Sequence, residues 1–388
     1  MKSIELFSGA GGLAKGLELA GFEHSAFVEY NKHACASLSA NFCPEKVFFG
    51  DIQDFDLSSI GATDVVAGGP PCQPFSLGGK HKADQDSRDM FPFAIRAIEK
   101  LTPKAFVFEN VKGLLRPSFS DYFEYIILRL TYPSFTAKKT ATWQEHLAQL
   151  RKVNGMSYAG VKYDVKFKLI NSANYGIPQT RERVVIVGIR SDLGKTWYFP
   201  EETHSEDRLL WEMHVTGEYW KRHKVPVAKR PEFESSLTEK LERLKDRYGM
   251  FEPEHMPWVT VRDVLHDVPD PRRKHEIEDH IFKDGARSYA GHTGSDYDWP
   301  SKTIKAGGHG VPGGENMIRY ADNSIRYFTV YEAKRIQTFP DNFIIKGAWG
   351  EAMRQIGNAV PVRLAEIIGN HLVETLRAKK KLSRVGAG

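Results

Sequence analysis

The sequence predicts an α/β protein with a doubly wound, mostly parallel sheet and a second, smaller domain. Three observations predict it. Short apolar runs alternate with amphipathic stretches over residues 1–190, which is the pattern of βαβ units. Glycine, carboxylate or cysteine residues follow five successive apolar runs, where ligands bind in open α/β sheets. After residue 190 the alternation stops, and Trp, His, Lys, Arg and Pro become frequent.

Each predicted element follows from its own pattern. Short apolar runs predict strands, and longer stretches with helical spacing predict helices. The predicted strands are residues 3–7, 24–28, 47–49, 64–67, 105–108, 163–170 and 184–189. The predicted helices run from the first strand to residue 20, over 31–41 and over 90–101, with helix and loop over 330–378.

The change in composition divides the chain. Residues 1–190 form the predicted sheet domain, and residues 191–299 a smaller domain with basic clusters at 221–224 and 272–275. The glycine-rich stretch 305–314 predicts a hinge within a connecting region of residues 300–325. Residues 326–388 form the C-terminal segment.

The composition favours a folded, mildly basic protein. Of 388 residues, 41% are hydrophobic and 27% are charged, which supports a sizeable core and excludes wholesale disorder. Lysine and arginine number 54 against 49 acids, a formal net charge of +5. This charge permits a polyanionic partner without requiring one.

The cysteine content and the hydropathy of the sequence indicate the cellular compartment in which we expect the protein. Cys35, Cys43 and Cys72 are too few for a disulfide framework and form no CxxC pair, so we expect a reducing compartment and no metal site. Residues 3–7 are typical of a strand rather than of a signal peptide. No apolar run approaches the roughly 20 residues that cross a bilayer. We therefore expect a cytoplasmic protein.

The loop after the first strand, Phe7-Ser8-Gly9-Ala10-Gly11-Gly12-Leu13, has glycines that let a cofactor approach the backbone. Glu29 lies 20 residues after Gly9, at the spacing of an acid that binds ribose hydroxyls. Asp51 could accept a hydrogen bond from an adenine amino group. The pattern indicates a nucleoside-bearing cofactor. Nicotinamide and flavin cofactors fit it as well, and a plain tight turn is the alternative.

Cys72 is a candidate nucleophile. Pro70 and Pro71 fix the backbone before it, and Pro74 stiffens the backbone after it. A thiol held beside a cofactor site is suited to covalent catalysis if its pKa is lowered. The alternative is a buried, inert cysteine, which is also how we interpret Cys35 and Cys43.

Charged residues follow or precede two further strands. Glu109 comes after the apolar run 105–108, where partial desolvation suits a proton donor. Gln179, Arg181 and Arg183 alternate before the strand 184–189, so they share one face. Such a row can hold phosphates or a polarised carbonyl. A solvated strand end is the alternative.

Together these residues resemble the DNA cytosine-5 methyltransferase family. The matching segments occur in family order over nearly the whole chain. They are Phe7–Gly12, Glu29, Asp51, Pro70-Pro71-Cys72-Gln73, Asp86-Ser87-Arg88, Glu109-Asn110-Val111, Tyr175–Arg183, Arg326–Pro340 and Gln355–Pro361.

The resemblance implies a Rossmann-like methyltransferase fold and roles for individual residues. The cofactor would be S-adenosyl-L-methionine, bound by Phe7, Ser8, Gly9, Ala10, Gly11, Gly12, Leu13, Glu29, Tyr30, Asp51, Ile52, Pro70, Asn358 and Val360. The catalytic residues would be Cys72, Glu109, Arg181 and Arg183. The DNA-binding residues would include Gln73, Ser76, Arg88, Gln179 and Thr303. Residues 191–299 would form the target-recognition domain, and residues 326–388 would return to the catalytic domain.

The resemblance also implies the reaction and the partners. We expect a sequence-specific enzyme that methylates C5 of a flipped-out cytosine in double-stranded DNA through a covalent Cys72–C6 intermediate. It would act as a monomer at the bacterial nucleoid and protect host DNA, with a separate cognate restriction endonuclease. A tRNA methyltransferase, a non-catalytic DNA-binding relative and a flavin or nicotinamide oxidoreductase are the alternatives. The Cys-Phe-Thr motif of the eukaryotic tRNA relatives is absent, since no cysteine follows Cys72.

Two features depart from the family pattern. Tyr30 stands where many members have a tryptophan after the acid; a tyrosine ring still stacks on adenine. Residues 133–159 add length before the arginine motif, and the sequence assigns them no role.

Overall fold

The computed structural model describes residues 1–71, 89–138, 140–231, 235–306 and 316–378. The chain divides into two compact units. The first unit contains Met1–Leu169, Arg183–Pro200 and Ala365–Gly388, and the second contains Ile170–Glu182 and Glu201–Leu364. The predicted boundaries at 190, 299 and 325 stay predictions.

The described residues form short strands and helices in both units. The strands are β1 Lys2–Leu6, β2 Glu23–Glu29, β3 Val47–Phe49, β4 Val65–Gly68, β5 Ala105–Val111, β6 Tyr163–Asn171, β7 Gln179–Thr180, β8 Glu182–Arg190, β9 His204–Ser205, β10 Met256–Pro257, β11 Ser295–Asp296, β12 Ser301–Lys302, β13 Met317–Arg319 and β14 Ile325–Tyr327. The α-helices are α1 Gly12–Leu19, α2 Lys32–Asn41, α3 Phe91–Leu101, α4 Ser120–Thr131, α5 Trp143–Val153, α6 Glu206–His214, α7 Glu218–Arg222, α8 Thr238–Tyr248, α9 Val261–Leu265, α10 Val330–Ile336, α11 Trp349–Asn358 and α12 Val362–Arg377.

A seven-stranded sheet organises the first unit, in the order β3-β2-β1-β4-β5-β8-β6. The pairs β3–β2, β2–β1, β1–β4 and β4–β5 are parallel, and β5–β8 is antiparallel. Every residue of β4 is buried, as are the first four of β5, because strands inside a helix-covered parallel sheet are buried on both faces. This confirms the predicted α/β class with a mostly parallel sheet.

The structure contains the strands predicted for this sheet and the helices predicted between them, and their bounds differ from the predicted bounds by no more than a few residues. The strand predicted at 47–49 has those bounds, and the helix predicted from residue 31 begins at Lys32, with the Asn31 side chain accepting hydrogen bonds from the N–H groups of His33 and Ala34. The strand predicted at 105–108 continues to Val111. Glu109 therefore lies within the ladder, opposite Val185, rather than after the strand. Antiparallel pairing with β8 is what extends β5.

Gly68 shows how tightly the two central strands pack. A Cβ atom at this position would lie 2.2 Å from the carbonyl oxygen of Leu6 on β1. No side chain fits there without displacing backbone, so the residue that ends β4 must be glycine. The ends of β1 and β4, which carry the next loops, are therefore held close together.

The last helix of the chain covers the first. At Gly369 of α12, an added Cβ would lie 2.7 Å from the Cβ of Ala20 and 3.0 Å from Cδ2 of Leu17. Leu17 is fully buried. Helices α1 and α12 therefore pack against each other in the first unit.

Residues 133–159, which had no assigned role, contain helix α5. Its Leu147 and Leu150 pack on Leu128 and Tyr132 in the α4 region. Thr142 and Glu145 form a capping box at its start. The extra length is thus a packed helical hairpin with its own apolar contacts.

The second unit is built from short helices around aromatic side chains. One apolar cluster contains Ala173, Leu209, Met213, Tyr219, Trp220, Val225 and Trp258. A second contains Leu210, Trp211, Leu241 and Leu244. Its described strands are two or three residues long, which agrees with the loss of strand–helix alternation after residue 190. The expected hinge at 305–314 lies mostly outside the described residues.

Candidate active site

The loop between β1 and α1 is shaped by left-handed backbone conformations. Phe7 has φ +54°, Gly9 has φ +54° and Gly11 has φ +90°. A Cβ at Gly11 would lie 2.8 Å from the Phe42 ring and 2.9 Å from Leu38, whereas a Cβ at Gly9 would meet nothing within 4 Å. Gly11 therefore allows close packing of α1. Gly9 leaves an open face at the end of the sheet, and Ala10, Gly12 and Leu13 are buried behind it.

Glu29, the last residue of β2, holds this loop. Its Oε2 accepts a hydrogen bond from the Gly9 N–H at 2.8 Å, and its Oε1 accepts one from the Asn31 N–H at 2.8 Å. The side chain is buried. These two backbone donors fix the position of the carboxylate beside the open face at Gly9.

Two further predicted cofactor residues lie beyond the ends of β2 and β3. The Tyr30 side chain is 69% exposed, so its ring is available for stacking. Asp51 is exposed and its Oδ1 accepts a hydrogen bond from the Gln53 N–H at 2.9 Å, which caps a 3₁₀ turn. Ile52 is buried beneath that turn. These residues fit an adenine ring with an acceptor near its amino group.

Glu109 and Arg183 form an ion pair on neighbouring antiparallel strands. Arg183 Nε lies 3.0 Å from Glu109 Oε1, and the two side chains are 16% and 11% exposed. A guanidinium this close to a carboxylate, at this depth, stabilises the negative charge and limits the room in which the carboxylate can rotate.

The residue after Glu109 fixes the loop that precedes Cys72. Asn110 is buried, and its Nδ2 donates to the carbonyl oxygen of Pro70 at 2.9 Å. The Met90 N–H donates to the carbonyl oxygen of Pro71 at 3.0 Å. Cys72 lies outside the described residues, as do the predicted DNA-binding residues Gln73, Ser76 and Arg88. The bonds to Pro70 and Pro71 nevertheless tie the chain at residues 70–71 to β5 and to the start of α3.

Other predicted site residues belong to the second unit. Gln179 is fully buried, and its Oε1 accepts a hydrogen bond from the Ile304 N–H at 3.2 Å. Arg181 Nη1 donates to the Gly357 carbonyl oxygen at 2.9 Å. Thr303 Oγ1 donates to the Thr180 carbonyl oxygen at 2.8 Å. Asn358 ends α11 and is exposed, whereas Val360 is buried.

The family model described as C-5 cytosine-specific DNA methylase matches residues 1–374. The chain belongs to this family.

Relatives and solved structures agree with the family. The Type II methyltransferase M.PspPI of Psychrobacter sp. (strain TA137) is 32% identical over 97% of this chain and 80% of its own length. The Type II methyltransferase M.SacI of Streptomyces achromogenes is 31% identical over 96% of this chain and 93% of its own length. The structure of a mutant Spodoptera frugiperda DNMT2 has a TM-score of 0.54 at 17% identity, covering 97% of this chain and 99% of that one. The structural likeness supports the fold.

The family identifies the protein as a DNA cytosine-5 methyltransferase that uses S-adenosyl-L-methionine. The open face at Gly9, the buried Glu29 carboxylate and the exposed Tyr30 ring fit the nucleoside of this cofactor. The flavin and nicotinamide alternatives are therefore excluded by the family. Among the described residues, no group of His, Cys, Asp and Glu side chains could hold a metal ion. No helix in the described ranges is long and apolar enough to cross a membrane.

The other two thiols of this methyltransferase are held in inert environments. The Cys35 side chain is buried and donates to the Glu29 carbonyl oxygen at 3.2 Å. Burial, together with the Glu29 charge, raises the pKa of the Cys35 thiol to about 12. A hydrogen bond to Glu45 raises the pKa of the Cys43 thiol. Neither is a thiolate at neutral pH. Cys35 is buried, as its interpretation from sequence expected. Cys43 is exposed, so the expectation that it is buried was wrong.

Sequence reasoning missed a polar network beneath the glycine loop. Ser3 Oγ lies 2.8 Å from His24 Nδ1, and His24 Nε2 lies 3.0 Å from the carbonyl oxygen of Ala14 in α1. Glu5 Oε1 lies 3.4 Å from His24 Nδ1. All three side chains are buried. The signal was present in the sequence, since Ser3 and Glu5 interrupt an otherwise apolar strand at alternate positions.

Proposed function

We propose that this enzyme methylates cytosine within one short DNA sequence, through a covalent intermediate on Cys72, and protects host DNA in a restriction-modification system. The observation that supports the chemistry most directly is the Glu109–Arg183 ion pair. It stands at the end of the sheet, on the strand whose Asn110 holds the Pro70 carbonyl before Cys72. The names of the relatives, type II methyltransferases, support the biological role.

The chemistry begins with the cysteine, because cytosine C5 is a poor nucleophile. The Cys72 thiolate adds to C6. The C5–C6 π electrons shift toward C4 and N3, which converts the ring to an enamine and makes C5 nucleophilic. Glu109 donates or accepts hydrogen bonds at N3 and the exocyclic amino group, which stabilises the charge that develops there. Arg183 orients Glu109 and, with Arg181, binds the O2 atom of the base.

The second half of the reaction forms the product. S-adenosyl-L-methionine supplies an electrophilic methyl group on its sulfonium. C5 takes this methyl, and the thioether of the cofactor leaves. A base then removes the C5 proton, the electrons of the C5–H bond restore the C5–C6 double bond, and the C6–S bond breaks to release the Cys72 thiolate. We assign no single residue as that base.

The substrate must leave the duplex for this chemistry. C6 is shielded by stacking, and flipping a base out costs a few kcal/mol. Phosphate contacts would hold the duplex, so binding would weaken as the salt concentration rises. Base reading would come from side chains of the recognition region, residues 191–299. A monomer suffices to modify one base.

Whole-genome bisulfite sequencing tests this function. The chain is expressed in a bacterial host that lacks cytosine methylation, with Cys72→Ser as the control. We expect protected cytosines within one recurrent short sequence, and none in the control. Unprotected DNA from cells that contain soluble protein would contradict the DNA activity. Transfer of labelled methyl to host RNA would instead support the tRNA alternative.

A further inference from the structure

Helix α7 in the second unit is short but strongly anchored. A five-residue helix has little stability by itself. The Tyr219 hydroxyl lies 2.9 Å from both Thr260 Oγ1 and Asp298 Oδ1, and Trp220 Nε1 donates to the Met213 carbonyl oxygen at 2.8 Å. Tyr219 is fully buried and Trp220 is 5% exposed. The helix is therefore a rigid platform at the surface of the unit.

This platform carries the basic cluster at 221–224, and two of its four basic side chains lie beside carboxylates of the same unit. Arg222 Nη1 lies 2.9 Å from Glu212 Oε2, and His223 Nε2 lies 2.7 Å from Asp263 Oδ1. Burial alone would raise the pKa of Asp263. Hydrogen bonds from His223 and Thr260 outweigh burial, and its pKa lies below the usual value.

Lys221 and Lys224 are the two remaining cations. Both are exposed. Neither has a carboxylate partner among the residues that the structure describes. The anchoring contacts of α7 thus fix the backbone that carries two exposed lysines for which the described part of the chain supplies no carboxylate.

The backbone of Lys224 is unusual. The Lys224 N–H donates to the Lys221 carbonyl oxygen at 3.1 Å, and the Val225 N–H donates to the Trp220 carbonyl oxygen at 3.0 Å. This is a Schellman motif, in which the left-handed residue is usually glycine. Lys224 has φ +53° in that position. A Cβ there is unfavourable, so the backbone alone would favour glycine at this position. A residue kept in strained geometry at an exposed, cationic position points to a ligand.

We propose that Lys224 contacts a phosphate of the DNA substrate and helps to position the duplex on the recognition unit. The proposed phosphate contact rests on the proposed function, because each requires DNA as the substrate. Lysine is a compact point charge on a flexible stem, which suits a phosphate better than bidentate reading of a base edge. The contact is therefore independent of base sequence.

The variant Lys224→Asn tests the contact, since asparagine tolerates the left-handed conformation but carries no charge. Affinity is measured by fluorescence anisotropy between about 50 and 200 mM salt. One labelled duplex carries the sequence found by bisulfite mapping, and a second has the same bases in scrambled order. We expect roughly three- to tenfold weaker binding to both duplexes, and a slope of log affinity against log salt that is smaller by about 0.9. Lys224→Arg retains wild-type affinity and slope.

Two substitutions to glycine distinguish the effect of the lysine charge from the effect of the left-handed backbone. Lys224→Gly removes both the charge and the strain, so we expect a higher melting temperature together with weaker DNA binding. Thr102→Gly is the matched control. Thr102 ends α3 of the first unit at φ +41°, so its replacement relieves similar strain and leaves DNA affinity unchanged.

Each result decides the proposal. An unchanged slope in Lys224→Asn, with wild-type affinity, would overturn it and leave Lys224 as a solvated surface residue. Weaker binding to the mapped duplex alone would assign Lys224 to base reading and overturn the phosphate contact. If the wild-type protein transferred methyl to neither duplex, the proposed function itself would fail, and this inference with it.

Discussion

Arg183 Nε lies 3.0 Å from Glu109 Oε1, across the antiparallel pair β5–β8. The carboxylate therefore has a fixed orientation before any substrate arrives. Glu109→Gln keeps the shape but removes the charge and the proton that the carboxyl group can exchange. We expect methyl transfer to fall by about 10²- to 10⁴-fold, with the affinity for S-adenosyl-L-methionine unchanged. Radiolabelled methyl transfer and calorimetry measure the two quantities.

A conservative pair of variants checks the role of the arginine. Arg183→Lys keeps the charge but loses the planar fork, so the orientation of Glu109 relaxes and kcat falls. Arg190→Lys is the control, because Arg190 lies at the other end of β8 and bonds Asp192 and the Thr102 carbonyl. Equal activity of the two variants would remove the orienting role from Arg183.

Glu29 links the glycine loop to the start of α2 through two backbone N–H groups. Glu29→Ala leaves both donors without this acceptor and removes the proposed ribose contact. Losing hydrogen bonds to a charged acceptor costs about 1.5–3 kcal/mol, so we expect at least tenfold weaker cofactor binding by calorimetry. Glu23→Gln, at the exposed start of β2, should bind as the wild type does. Wild-type affinity in Glu29→Ala would refute the assignment.

The close packing around Gly68 predicts that adding one methyl group at this position lowers the stability of the protein substantially. In Gly68→Ala the new Cβ would lie 2.2 Å from the Leu6 carbonyl oxygen, and β1 and β4 would have to separate. Overpacking of this kind costs roughly 1–3 kcal/mol or more. Gly61→Ala, where nothing lies within 4 Å of the added atom, should be nearly neutral. Urea unfolding of the two variants compares them, and equal midpoints would contradict the packing argument.

His146 makes the α4–α5 hairpin sensitive to pH. Burial lowers the pKa of His146 below its usual value of 6.5, and the Arg129 charge lowers it further. The folded state therefore prefers the neutral ring. Below about pH 6.5 the unfolded chain binds the proton that the folded chain excludes, so stability falls as the pH falls.

The measurement is urea unfolding at pH 7.5 and at pH 5.5, in which His146→Gln should lose less stability on acidification than the wild type. At pH 7.5 the variant should be the less stable of the two, because the ring contacts with Tyr125 and Phe135 are lost. The same change with pH in both proteins would show that His146 does not contribute.

The sequence was sufficient for the sheet. Strand β3 has its predicted bounds. The elements of the sheet depend on contacts within short stretches or on a repeated motif. The spacing of Gly9 and Glu29 predicted a ribose contact for Glu29, which stays a prediction, whereas the hydrogen bond between the two residues was found only in the structure. Helix α5 was not predicted, although Thr142 and Glu145 carry a capping-box signature at its start.

The recognition unit was less predictable because its contacts join residues far apart in the chain. From sequence, the basic cluster at 221–224 was as compatible with solvent as with phosphate. The structure pairs His223 with Asp263 and Arg222 with Glu212, and only these pairings distinguish Lys221 and Lys224 from their neighbours. Similarly, the reach of β5 through Glu109 depends on β8, which lies more than 70 residues later.

The packing of α12 on α1 at Gly369 has a consequence for biosynthesis. A ribosome adds roughly 5–20 residues per second, so on the order of tens of seconds pass between the synthesis of Leu17 and the synthesis of α12, which packs on it. During that time the nascent chain exposes the apolar face of α1 that α12 later covers. The first unit therefore completes its folding only after α12 has been synthesised.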